Sequence, residues 1–173
     1  MFLDLLRERR SVRKFKEKPV AEDKIKILIE AALRSPSSRS LNPWEFIVVT
    51  DQNKLHELSN SKPHGASFLK GAPLGIVVIA DPEKCDVWVE DSSIASILIQ
   101  LTAESIGLKS CWVQIRKRFY NDDTTAEKKV SETLNIPENY VVESIIAIGY
   151  PDEFTKGHTT ESLQTSKIHY EEF

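Results

Sequence analysis

Arg7, Arg9, Arg10, Arg13, Lys14, Lys16 and Lys18 put seven cations into twelve residues of a chain whose net charge is −3. Within that run Arg9, Ser11 and Arg13 alternate, so an extended backbone would turn all three to one side. Two guanidinium forks flanking a hydroxyl suit an oxyanion such as a phosphate, which arginine can hold through paired N–H groups. The same charges also make an ordinary solvated turn, so spacing rather than charge carries this reading. A second polar concentration, SPSSRSLNPW at 35–44, gathers the hydroxyls of Ser35, Ser37, Ser38 and Ser40, the Arg39 guanidinium and the Asn42 amide. It ends in Trp44, whose ring could cover an aromatic ligand. A plain helix stop uses the same residue types.

Other chemistries lack their patterns. There is no phosphate-binding G-x-x-x-x-G-K-[ST], no G-x-G-x-x-G and no G-x-S-x-G. His56, His64, His158 and His169 have no metal-ligand spacing with one another or with Cys85 and Cys111, so no metal site is expected. With six glycines in 173 residues, an anionic ligand must be held largely by side chains. No side chain stands out as a catalytic acid or base.

The elements that must position these groups can be read from periodicity. Residues 1–10 read as a short helix, and Ile25, Leu28, Ile29 and Ala32 predict one over 22–33, stopped before Pro36. EFIVVT (45–50), PLGIVVIAD (73–81), KSCWVQI (109–115) and VVESIIAIGY (141–150) read as buried strands. A short helix is expected at 54–59. Another, capped by Asp91 or Ser92 and closed by Gly107, reads as apolar on nearly every face up to Ile106. Thr124 and Glu127 form a capping-box pattern ahead of a last helix.

These elements predict a layered α/β or α+β sheet in a single domain, 1–173, with an irregular tail at 151–173. A pI near 5.9 excludes the basic footprint of a nucleic-acid binder. Two distant cysteines and an N-terminus charged from Asp4 onward predict a soluble, cytoplasmic chain with no membrane partner.

RRSVRKF (9–15), SPSSRSLNPWEFIVV (35–49), SIGLKSCWV (105–113) and KIHYEEF (167–173) occur in that order, and together they resemble the FMN-dependent nitroreductase family. The resemblance covers nearly the whole chain. It implies a central mixed sheet flanked by helices in an intertwined homodimer, with FMN at the subunit interface. In such a dimer the 92–106 helix would form the core and the tail would wrap the partner.

Carried over by position, the resemblance implies that Arg9 and Ser11 hold the FMN phosphate, with Arg10 beside them. Arg13 falls at the pyrimidine edge of the ring, where its charge would favour the reduced form. Pro36, Ser37 and Ser38 match the loop given by the other subunit. Ser40 stands where the family often has Asn. Val113 and Gln114 match the stretch lying along the ring, which offers a backbone N–H to its N5. The family's C-terminal Lys/Arg pair is replaced by Lys156 and His158, and the loop at 64–70 lacks the Asn and Lys of some relatives.

The activity so implied is NAD(P)H oxidation through FMN, with NADH or NADPH as donor and a nitroaromatic or quinone-type small molecule as acceptor. A specialised member (a dehalogenase or a flavin-breakdown enzyme) and a low-turnover flavin-binding protein are the alternatives. If Arg9 holds the phosphate, Arg9→Ala removes a charge-assisted bond of about 1.5–3 kcal/mol. Titration of apoprotein should show weakened FMN binding and nearly unchanged riboflavin binding; equal losses for both ligands would refute the assignment.

Overall fold

The computed structural model describes all 173 residues. In chain order the elements are α1 (Phe2–Glu8), α2 (Glu22–Leu33), β1 (Trp44–Val49), α3 (Gln52–Ser59), β2 (Leu74–Ala80), α4 (Trp88–Ser105), β3 (Lys109–Gln114), α5 (Ala126–Leu134) and β4 (Val141–Gly149). The strands form one sheet in the order β1-β2-β4-β3, with every neighbouring pair antiparallel. The expected α+β sheet between helices is present. Its parallel component reduces to a single bridge, between Ser11 and Ser110.

Both faces of the sheet are covered, which is why the strands read as unbroken apolar runs. Val77, Ile79, Val113 and Ile145 pack with Leu55 and Leu58 of α3 and Val130 of α5. On the other face Ile76, Val78, Ile146 and Ile148 pack with Leu28 of α2 and Ile99 of α4. β2 is buried along its whole length. Gly75 lies so close to α3 that a Cβ there would sit 2.9 Å from Leu55 Cδ2. No helix is long and apolar enough to cross a membrane.

α4 differs from its expectation in two ways. It begins at Trp88, not at Asp91 or Ser92, and Val87 caps it without a side-chain bond. Nor is it apolar all round. Ser92, Ser96 and Gln100, four residues apart, form a buried polar stripe facing the sheet. Ser96 Oγ lies 3.0 Å from Ser144 Oγ, and Gln100 Nε2 donates to Ser110 Oγ at 3.2 Å. The apolar excess falls on the opposite side, where Ile94 and Ile97 stay 40% and 37% exposed. The C-terminal end follows expectation: Gly107 takes φ +75°, and the N–H groups of Gly107 and Leu108 reach the carbonyls of Glu104 and Ala103. At α5 the cap is Thr125, not Thr124, and it accepts the Lys128 N–H at 3.1 Å. Glu127 reaches instead to the Val142 N–H, so no capping box forms.

A register shift between Val78 and Ile79 leaves Glu143 unpaired in β4, the mark of a bulge. Its side chain is 3% exposed, Oε2 has no hydrogen-bond partner, and the nearest guanidinium nitrogen, Arg116 Nε, is 3.9 Å away. Burial pushes this carboxyl above the ordinary glutamate range, against the smaller opposing pull of Arg116. An acid raised on folding weakens the fold as pH climbs past its unfolded value and through its folded one. Glu143→Gln should therefore raise the melting temperature at pH 8 and lose that advantage towards pH 4. Thermal melts across this range decide it, and a pH-independent difference would reject the buried-proton account.

Candidate functional site

β3 is an edge strand, paired only with β4. The Ile115 N–H reaches Glu143 O on β4, so by antiparallel alternation the backbone groups of Ser110, Trp112 and Gln114 face the open edge. Two observed bonds agree with this. The Val12 N–H donates to Ser110 O at 3.1 Å, and Lys62 Nζ donates to Gln114 O at 2.7 Å. The Gln114 N–H therefore points out of the sheet, on the side where the cations gather.

The basic segment is laid onto this edge by its apolar members. Val12 and Phe15 insert into the core beside Val113 and Ala147, leaving Ser11 half-buried and Arg13 exposed. Arg9, Ser11 and Arg13 thus come to one neighbourhood. All three lie close enough to the Cys111 thiol to act on it. Burial raises it, while Arg13, then a hydrogen bond with Ser11, then Lys62 and Arg9 pull it back. Arg13 leans over the Phe68 ring, 5.8 Å from its centroid.

Lys62 was not among the residues singled out from sequence; no local pattern marks it, since 52 residues separate it from Gln114. Burial, followed by the charge of Arg118, lowers it below the ordinary lysine range. The Val113 side chain is fully buried in the core, so only its backbone can lie along a ligand at this edge. Gln114 is half-buried; its Oε1 accepts from Trp112 Nε1 and its Nε2 donates to Arg116 O.

The start of the tail folds back on its own chain. Phe15 bridges to Pro151, and the Asp152 N–H donates to Lys14 O. Glu153 Oε1 accepts both the Arg13 and Lys14 N–H groups, at 2.6 and 3.1 Å, and those backbone bonds hold its carboxyl below the usual range. Arg10 donates to His158 Nε2 at 2.7 Å; a guanidinium can only donate, so that ring nitrogen carries its lone pair. Residues 151–158 therefore contact their own protomer, and only the exposed stretch from Thr159 onward is free to reach elsewhere.

The second polar segment is placed elsewhere. Pro36, Ser37, Ser38 and Ser40 precede β1, the edge strand opposite β3. Three strand spacings of about 4.8 Å, roughly 14 Å, separate the two edges. One chain does not bring the two segments together. Trp44 is built into the sheet, 7% exposed with its ring against Phe46, so it is not presented to a ligand.

Two helix-covered faces and a recognition edge built from an edge strand, a basic segment and a half-buried lysine define an α+β fold suited to a ligand with an anionic end and a polar planar edge. The chain belongs to the nitroreductase family, whose model matches residues 6–62 and 52–150. It is similar to the structure of an FMN-dependent nitroreductase from Clostridium difficile R20291, with 48% identity, 99% of each chain covered and a TM-score of 0.98. A protein of Archaeoglobus fulgidus, provisionally named NADH dehydrogenase/NAD(P)H nitroreductase, is 34% identical over 176 residues, covering 99% of this chain and 98% of its own. An iodotyrosine deiodinase from Thermotoga neapolitana is 26% identical over 182 residues, covering 88% of this chain and 90% of that one.

Gly157 governs the tail clasp. A Cβ at this position would stand 1.8 Å from Arg7 O, so no other residue fits without displacing the segment. Gly157→Ala should release residues 151–158 from the basic segment and break the Arg10–His158 contact. Limited proteolysis should cut the tail of the variant sooner while the thermal transition of the sheet stays in place. Parental protection of the tail would contradict the clasp.

Proposed function

We propose that this chain is an FMN-dependent NAD(P)H oxidoreductase working as a homodimer with two composite sites. The observation that carries this reading is the open edge of β3, where the Gln114 N–H faces a field of Arg9, Arg13 and Lys62. FMN fits those residues by its chemistry: a phosphate for paired guanidinium groups, and a planar ring whose N5 accepts a hydrogen bond. Arg9 and Ser11, with Arg10 beside them, hold the phosphate. Arg13, propped by Phe68, and Lys62 set positive charge beside the pyrimidine edge. The Gln114 N–H orients N5. When bound, FMN supplies two-electron hydride chemistry, first with NADH or NADPH and then with a nitroaromatic or quinone-type acceptor. The chain's part is to orient, shield and electrostatically tune.

The second copy is required on two grounds. Pro36, Ser37, Ser38 and Ser40 lie at the far sheet edge, so a neighbouring subunit must bring them to the β3 site. The outer stripe of α4, with Ile94, Ile97 and Leu98, continues beside the exposed Phe2, Leu3 and Leu6 of α1. Such an apolar surface calls for a partner. A second copy seated there would bury it.

Purified protein should carry or take up FMN, scatter light as a dimer and consume NAD(P)H when a nitroaromatic or quinone is supplied. Initial rates at varied donor and acceptor should give parallel double-reciprocal lines, because both use the same face in turn. Leu98→Asp should give colourless or insoluble protein. Failure of the parent to bind FMN would overturn the reading, and a flavin-loaded monomer would overturn the composite site.

A further inference from the structure

The loop between α2 and β1 holds an unusual backbone. Arg39, Ser40 and Asn42 take φ of 53°, 56° and 47°, three left-handed residues in four, none of them glycine. Each costs energy that persists only where the surroundings over-determine the conformation. Three restraints do so. Ser37 Oγ donates to Asn42 Oδ1 at 2.7 Å and accepts the Asn42 N–H at 2.9 Å. Arg39 pairs with Asp86. The third restraint comes from another element: Asp91 Oδ1 accepts the Ser38 N–H at 2.9 Å, and its Oδ2 accepts the Cys85 thiol at 3.5 Å.

Asp91 is 3% exposed and sits in the first turn of α4. The internal clasp and the Arg39–Asp86 pair are exposed, whereas the Asp91 bond is sheltered, so Asp91 is the restraint that water competes with least. It also belongs to the helix whose outer stripe faces a second copy. Docking of α4 and presentation of the loop are therefore one rigid arrangement.

We propose that Asp91 is a positioning residue for the neighbouring subunit's site: through the Ser38 N–H it fixes the Pro36–Ser40 loop that its own subunit delivers across the dimer. The inference rests on the composite-site reading above. Asp91 touches no ligand itself. It acts in trans, on the site completed by the other copy's Arg9 and Gln114.

The geometry gives a test that a general stabilising role would not pass. Asp91→Ala should weaken FMN binding at least tenfold while the protein remains dimeric, because the outer face of α4 is untouched. Asp91→Asn keeps an oxygen for the Ser38 N–H and should recover most of the affinity. A mixed dimer, isolated through two different affinity tags, would then combine one Arg9→Ala subunit with one Asp91→Ala subunit. One of its sites carries both lesions and the other carries none, so half of its sites should titrate with parental affinity.

Absence of parental-affinity sites in the mixed dimer would show that Asp91 acts within its own subunit, and parental binding by the Asp91→Ala homodimer would show that it positions nothing. Either result overturns the inference; FMN binding and the dimeric state of the parent, measured separately, carry the functional reading. Should Asp91→Ala fail to fold, Ser38→Pro takes its place. The extended Ser37 (φ −141°, ψ 157°) accepts a following proline, which deletes only the N–H and hydroxyl of residue 38, and Ser38→Ala controls for the hydroxyl. Loss of affinity in Ser38→Pro beyond that in Ser38→Ala, restored in half the sites of its mixed dimer with Arg9→Ala, supports the proposal; equal affinity of the two variants rejects it.

Discussion

An edge strand carries backbone groups that no neighbouring strand satisfies, and what a protein does with them shapes everything around that edge. In this chain two of the outward carbonyls of β3 have partners. Ser110 takes the Val12 N–H, Gln114 O takes the Lys62 ammonium, and the Gln114 N–H is left aimed at the cations. The position of the basic segment follows from the first of these bonds, and that of the loop carrying Lys62 from the second. The sheet thus converts an unpaired border into a ruler along which a phosphate and a planar ring can be laid.

Energetically the site rests on apolar anchors rather than on its charges. Val12 and Phe15 are 1% and 8% exposed, and the burial of side chains of this size stabilises by about 1.5–3 kcal/mol each. The exposed Arg13 guanidinium and Lys14 ammonium between them contribute little to folding and are free for a ligand. α4 shows the same division in reverse. Ser96 and Gln100 bond to Ser144 and Ser110 of the sheet, while Ile94 and Ile97 stay outside. The helix thus gives Ile99 and Ala103 to its own core and turns Ile94 and Ile97 away from it.

Much of this was legible in the sequence. Unbroken apolar runs and the helical spacing of Ile25 to Ala32 located four strands and their helices within a few residues, because burial on both sheet faces leaves a strong pattern. The alternation of Arg9, Ser11 and Arg13 foretold their shared side. The inner face of α4 escaped notice because a small hydroxyl reads as neutral in a mostly apolar helix, and only the tertiary partners Ser144 and Ser110 make it a polar seam. Asp91 looked like a cap for the same reason that it is something else: a carboxylate near a helix start accepts N–H groups, and here the N–H comes from Ser38, 53 residues earlier. Lys62 was hidden by distance along the chain, as were the bonds of Glu153 and His158 to the basic segment.

Those long sequence separations bear on how the protein is made. Arg10 meets His158 across 148 residues and Arg13 meets Glu153 across 140, so the basic segment is clasped by residues made long after it. Pairings of such range pay their loop-closure entropy before any contact repays it, and they form late. Until residue 158 has been made, the Arg10 guanidinium lacks its His158 partner. The clasp on the basic segment therefore joins residues 140 and 148 positions apart, and it closes after the sheet that lies between them in the sequence.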